Sequence, residues 1–402
     1  SKFNKMDRRN FIKTSALASG MVFVPSFLKK LEFLPEDKLS GFKNVIIIQL
    51  SGGNDGLNTV IPYSNDIYHR LRPKIGKDAS KVLKLNDSLG LNGSCTELMK
   101  LYENGELCII NNVGYPNPNR SHFRSTDIWQ TASASNEYLG TGWLGRYQDA
   151  NCQYPYEAIE YDNSLSLAMK GRIKNGIAVT DPNQLFQTTR EKYFKSVVDH
   201  TDESMLNEDN QGYLYKTMLE TYSSAEYIYE RSKIYNSTSE YPNTKFAMNL
   251  KGIADMVVSG LKTRVYYTSL SGFDTHINQV NSQDRLLKTY SDGIGALVED
   301  LKKNDRFKDT LIMTFSEFGR RASENSSAGT DHGSANNVFM IGGGLKNAGI
   351  YNNGPDLVNL DKNGDLKFQV DFRSIYATVL DNWLGVNDQR ILNKSFSKLN
   401  FI

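Results

Sequence analysis

Cysteine is scarce in this chain: Cys95, Cys108 and Cys152 are the only three in 402 residues. An odd number without metal-type spacing excludes a disulfide framework and a thiolate cage, and leaves at most one disulfide or buried thiols. There is no block of Lys and Arg, and 47 basic residues against 45 acidic ones leave a formal charge of +2. Nothing in that balance makes an electrostatic case for nucleic acid as a partner. Past residue 30 no apolar run is long enough to span a bilayer. Internal repeats and low-complexity tracts are absent too. Gly342-Gly343-Gly344 lacks the Lys-Ser/Thr of a P-loop, and no dinucleotide fingerprint follows the first strand. What is present is aromatic: 22 Tyr and 19 Phe, a composition that folds, in a chain long enough for one large α/β domain or two ordinary ones.

Residues 1–30 differ in kind from the rest. Asp7-Arg8-Arg9-Asn10-Phe11-Ile12-Lys13 is a paired-arginine run, followed by a mildly apolar stretch from Thr14 to Val24 and then Pro25. That order is an export signal, and the Arg pair with Phe11 and Lys13 resembles the twin-arginine type. An amphipathic helix kept with the domain is the alternative. Val24-Pro25-Ser26 is a weak cleavage site, so removal and retention as an N-terminal anchor both stay open. The expectation is a protein exported folded to the periplasm or another extracytoplasmic space, with no further transmembrane span.

Beyond the signal, strands alternate with helices. Val45–Leu50, Leu107–Val113, 176–179, 264–270, 310–315 and 338–341 have the apolar, β-branched character of buried strands. Helical spacing marks 96–102, 120–132, about 205–235, 246–261, 286–301 and, capped by Asp371, a last helix that Gly385 stops. The alternation predicts an α/β fold with a mostly parallel sheet and helices on both faces. It covers one domain over 40–402, with a helical insertion at about 205–260.

The first strand breaks into Ser51-Gly52-Gly53-Asn54-Asp55-Gly56, a turn that delivers an acid to the strand's C-terminal edge. Histidines number five, so their placement is informative. Asp55, Asp274, His276, Glu317 and His332 are all expected at or just past strand C-termini, on one edge of a parallel sheet. Carboxylates mixed with imidazoles suit a divalent cation. Ser121 starts a helix, where backbone N–H groups favour an anion, and a neighbouring metal would activate its hydroxyl. Arg120, His122 and Arg124 surround it. Each residue also has a structural alternative: Asp55 bracing its turn, Asp274 and His276 satisfying one another, Glu317 pairing with Arg320 or Arg321 on the rim, Ser121 as a plain N-cap.

The ordered set Gly52–Thr59, Asn119-Arg120-Ser121-His122-Phe123, Gly272-Phe273-Asp274-Thr275-His276, Ser316-Glu317-Phe318-Gly319-Arg320 and Thr330-Asp331-His332-Gly333 resembles the DUF1501 family over nearly the whole chain. That family is grouped with the alkaline phosphatase and sulfatase superfamily. The resemblance implies a large alkaline phosphatase-like α/β sandwich with a metal site at the strand C-terminal edge. Asp55, Asp274, His276, Glu317 and His332 would hold Zn, Mn, Mg or Ca, Ser121 with His122 would carry the chemistry, and Arg120 or Arg124 would steady the anion. Where many superfamily members have an Asp-His pair, this chain has Glu317-Phe318. One imidazole fewer leaves a single-metal site, a hard-ligand site or a degenerate one without metal. Two functions follow: hydrolysis of a small phosphate or sulfate ester, or an inactive scaffold that binds another exported protein.

Overall fold

The computed structural model describes residues 41–201 and 210–402. The expected signal segment 1–30 and positions 205–209 of the expected helix lie outside the described residues. Twelve strands follow in chain order: β1 (Asn44–Ser51), β2 (Val60–Ile61), β3 (Val82–Lys84), β4 (Gly90–Asn92), β5 (Leu107–Gly114), β6 (Ala158–Glu160), β7 (Ile177–Ala178), β8 (Val265–Ser271), β9 (Thr310–Phe315), β10 (Asn336–Gly342), β11 (Gly349–Ile350) and β12 (Val370–Asp371). Nine make one mixed sheet in the order β11-β5-β10-β9-β1-β8-β6-β7, with β12 also on β5. The three short strands β2, β4 and β3 form a small antiparallel sheet that the periodicity does not reveal.

β1 lies at the centre because it is apolar on both faces. Ile46, Ile48 and Leu50 enter one core, Val45 and Ile47 the other. On the first face pack the helices Thr96–Glu103, Lys245–Val258 and Gln279–Lys303, through Leu98, Leu250, Ile253, Leu287, Ile294 and Leu297. Lys245–Val258, expected within an insertion, is therefore part of the core layer. On the second face lie His122–Thr131, Trp143–Asn151 and Phe372–Thr378, where Trp129 stacks between Phe315 and Phe372. The remaining helical stretch comprises Pro182–Arg190, Lys192–His200 and Asn210–Ser232.

β1, β8, β9, β6 and β7 run parallel, and β5 shares their direction, but β10 is antiparallel to both its neighbours, β9 and β5. This corrects the sequence reading of His332. His332 precedes the N-terminus of β10 instead of following a strand, and still reaches the functional edge because β10 is reversed. Gly342-Gly343-Gly344 ends β10 at the opposite edge, away from any phosphate the site would bind. The chain reverses over residues 316–335, where the Gly333 N–H donates to the Gly319 carbonyl and Arg320 stands opposite His332.

Candidate metal centre

Three loops meet at the sheet edge: 52–55 after β1, 272–276 after β8 and 316–320 after β9. Their closeness depends on Gly52 and Gly53, which have φ of +117° and +73°. A Cβ on Gly52 would lie 2.5 Å from the Asp274 backbone nitrogen, and one on Gly53 would overlap the Phe318 ring. The Phe273 N–H donates to the Ser51 carbonyl, so the second loop lies directly on the first.

At this junction Asp274 Oδ1 is approached by three imidazoles. His276 Nε2 is 2.9 Å away, His332 Nε2 3.1 Å and His122 Nε2 3.3 Å. His276 Nε2 and His332 Nε2 are themselves 3.0 Å apart. Each ring turns its other nitrogen outward onto an acceptor. His122 Nδ1 is 2.9 Å from Glu317 Oε1, His332 Nδ1 donates to the Arg120 carbonyl at 2.8 Å, and His276 Nδ1 faces Asp331 Oδ1 at 3.4 Å. A carbonyl or carboxylate accepts there, so in the neutral rings the Nδ1 atoms carry the protons and the Nε2 lone pairs point to the centre.

That pattern fits a metal. Metal-bound histidines almost always donate their second N–H to a carboxylate or carbonyl. Ligands of a tetrahedral Zn²⁺ at about 2.0–2.1 Å stand about 3.3 Å apart, close to the separations observed. His122 Nε2 is buried and makes no hydrogen bond of good geometry despite its proximity to Asp274. An orphan acceptor of this kind calls for a partner. The donor set His122, Asp274, His276 and His332 thus suits a divalent ion. The Asp274 side chain is 47 % exposed, so the centre opens to solvent on one side.

The electrostatics are set by Arg320, which is buried. Its guanidinium donates to the carbonyls of Gly53 (2.6 Å), Thr330 (2.9 Å), Phe273 (2.9 Å) and Gly52, and to Asp274 Oδ1 at 2.8 Å. Burial opposes ionisation of Asp274, but the hydrogen bond and the charge of Arg320 outweigh it, holding the carboxyl well below its usual range. His122 is raised, chiefly by its bond to Glu317. His332 is lowered, chiefly by burial.

The other expected site residues have different partners. Asp55 is fully buried, 2.6 Å from Arg72 Nη1, and takes a hydrogen bond from Gln279. Both contacts fall on Oδ2, while Oδ1 is buried without a hydrogen-bond partner. Glu317, expected as a ligand, stands behind His122 and also accepts from the Gly52 N–H at 2.8 Å. Ser121 caps the helix His122–Thr131 by position only: it is exposed and its hydroxyl makes no cap bond. The Arg120 guanidinium is bonded to Asp365, and only its carbonyl serves the centre. Arg124 donates to the carbonyls of Ala134, Ser135 and Glu137. Neither arginine faces an anion at the centre. Sequence reasoning placed Arg320 only in a rim ion pair, and set His122 beside Ser121 for the chemistry without bringing it to Asp274.

Two cavities flank the centre. A cleft of about 440 Å³ is walled by His122, Asp274 and Glu317 on one side. Behind Phe318, whose ring lies 4.8 Å from that of His122 and 4.7 Å from that of His332, is a cavity of about 280 Å³ lined by Tyr115, Leu366 and Phe368.

A family model described as "Protein of unknown function (DUF1501)" matches residues 42–396. The chain belongs to the DUF1501 family. The five motifs quoted above all lie within the matched span, so the site is built from DUF1501 sequence throughout. No curated protein matches this DUF1501 chain. Solved structures that resemble it do so distantly. The lipoteichoic acid synthase LtaP from Listeria monocytogenes is 10% identical with a TM-score of 0.41, over 90% of this chain and 74% of that one. The PsFucS1 sulfatase from Pseudoalteromonas sp. is 12% identical with a TM-score of 0.41, over 97% and 74%. A protein in the alkaline phosphatase superfamily from Vibrio parahaemolyticus is 9% identical with a TM-score of 0.37, over 88% and 70%.

Proposed function

We propose that this chain binds a divalent metal ion through His122, Asp274, His276 and His332, and hydrolyses a phosphate or sulfate ester in the adjoining cleft. The observation that carries the reading is the convergence of three Nε2 atoms on one carboxylate oxygen, with every outward Nδ1 held by an acceptor. Imidazole-rich sets favour Zn²⁺ over Mg²⁺ and Ca²⁺. When bound, such an ion supplies Lewis acidity that polarises an ester oxygen and acidifies a nearby hydroxyl or water.

The chain's own residues prepare that chemistry. Arg320 keeps Asp274 ionised, and Glu317 fixes the ring of His122 so that Nε2 faces inward. The Arg120 carbonyl does the same for His332. Ser121 is the candidate nucleophile, because its hydroxyl is exposed, free of a cap bond and next to His122. Export in the folded state to an extracytoplasmic space is part of the reading and rests on the paired arginines. Among the described residues no helix is long and apolar enough to cross a membrane.

Protein purified without chelator should carry metal, and a screen of aryl phosphates and sulfates should give turnover that disappears in Ser121→Ala and His276→Ala. Protein that stays metal-free after reconstitution with Zn²⁺ and Mn²⁺, and inert, sinks the reading. A second reading is a catalytically silent scaffold for a co-exported protein. The pairing of Asp55, Arg120 and Arg124 with internal partners favours it. It requires the His276→Ala variant to lose a stoichiometric partner recovered from envelope extracts, with no turnover in either protein.

A further inference from the structure

We infer that the cleft beside the metal centre takes an ester whose non-reacting part is a ring with an apolar face and no negative charge of its own. The inference rests on the ester-hydrolase reading and names the substrate class for that site. Its first support is Phe123. This residue directly follows His122, lines the cleft and is 85 % exposed, the most exposed large apolar side chain among the described residues. A single exposed Phe is unremarkable on an open surface. At the edge of a cleft beside the candidate metal ligands, it is placed to serve as a stacking platform.

The second support is charge. The cleft is walled by Asp127, Asp274 and Glu317, and neither Lys nor Arg lines it. The arginines nearest in sequence are turned away: Arg120 to Asp365, Arg124 to three carbonyls and the Tyr138 ring. No ion pair engages Asp127 among the described residues. A bound cation would neutralise one anionic group at the reacting end. A second anion farther along would meet Asp127 with no cation to offset it. Ser51, Thr126 and Ser271 complete the wall with short hydroxyl side chains, which suit ring hydroxyls or other neutral polar groups. Aryl and sugar rings share the apolar face these residues describe.

The test measures binding by calorimetry to the full chain, with metal content recorded on the same sample. The probes are methyl, phenyl, 4-carboxyphenyl and 4-trimethylammoniophenyl phosphates with the matching sulfates, and glucose 1-phosphate as the sugar arm. The phenyl or the glucose ester should bind about 10-fold tighter than the methyl ester, an advantage that Phe123→Ala removes without changing metal content. Whichever ring ester wins identifies the source of the face. The trimethylammonio ester should outbind the carboxy ester by about 10-fold at low salt, and Asp127→Asn should bring the two within about 2-fold. Equal binding of methyl and ring esters, a carboxy ester as tight as the cationic one, or no binding by any probe overturns the inference. A metal-free protein that still prefers ring esters keeps this inference and removes the metal reading, so the two failures are distinguishable.

Discussion

Arg320 carries more of the site than any ligand does. Its guanidinium closes four loop carbonyls and the Asp274 carboxylate at once. Such carbonyls at glycine turns have no strand partner, and a rigid fork of five donors satisfies them better than water would. Sequence alone could not assign this, because an Arg three residues after an acid reads as a surface pair. The histidines were legible because they are few, and two of them share short motifs with an acid. The different placement of the two acids was not. Glu317 and Asp274 look alike in sequence, yet one is buried behind a histidine and the other is half exposed beside three. Glu317→Gln separates these roles. The amide keeps its volume and its bond from the Gly52 N–H, but removes the carboxylate that polarises His122. Competition against a chromophoric chelator should show metal affinity down by about 10–100-fold. In the metal-free variant, NMR titration should show the raised His122 pKa moving back toward its ordinary value, since the Glu317 bond is its largest cause. Unchanged affinity would remove His122 from the ligand set.

At the scale of elements, alternation revealed the parallel strands and the two helical layers, because buried runs and 3.6-residue stripes are local patterns. Strand direction is not local. β10 is buried and apolar like β9 and β5 beside it, and only the return over residues 316–335 reverses it. The small β2-β4-β3 sheet escaped notice for a related reason: strands of two or three residues carry no period. One strand end has a measurable signature. Glu160 closes β6 and is buried, and burial pushes its carboxyl up to about 7, against bonding from Ser166 that favours ionisation. The folded pKa lies above the unfolded one near 4.5, so the protonated form favours folding. Its contribution is complete below about pH 4.5 and is lost as pH rises through about 7, a change of about 3 kcal/mol. Glu160→Gln keeps an acceptor for the Ser166 N–H and removes the titration. Urea midpoints for the two proteins should coincide near pH 4 and diverge above pH 7, with the variant more stable. Parallel curves across that window would show that Glu160 is ionised in the folded chain without penalty.

For the whole molecule, the centre brings together residues from segments far apart in sequence. His122 starts a helix on one face, and Asp274 and His276 follow β8. His332 sits on the return into β10, and Glu317 from the loop after β9 supports His122. Without a cation, three imidazoles crowd one carboxylate, and protonation of any ring adds a charge beside Arg320. A ligand that binds only the folded chain stabilises it by mass action, by about 2.7 kcal/mol at a hundred times its dissociation constant. In a chain of this length, that amounts to a few degrees in Tm at most. Chelation with excess EDTA should therefore lower the melting temperature of the protein as purified, and Zn²⁺ or Mn²⁺ should restore it. The informative comparison is His276→Ala. Removing one ligand should lower the starting Tm to near that of the chelated parent and abolish the response to EDTA. An Asp55→Asn variant, altered at the buried pair with Arg72 and not at the imidazoles, should start lower but keep the full EDTA response. If Asp55→Asn loses that response while His276→Ala keeps it, the metal sits against the first loop, and the imidazole cluster is structural.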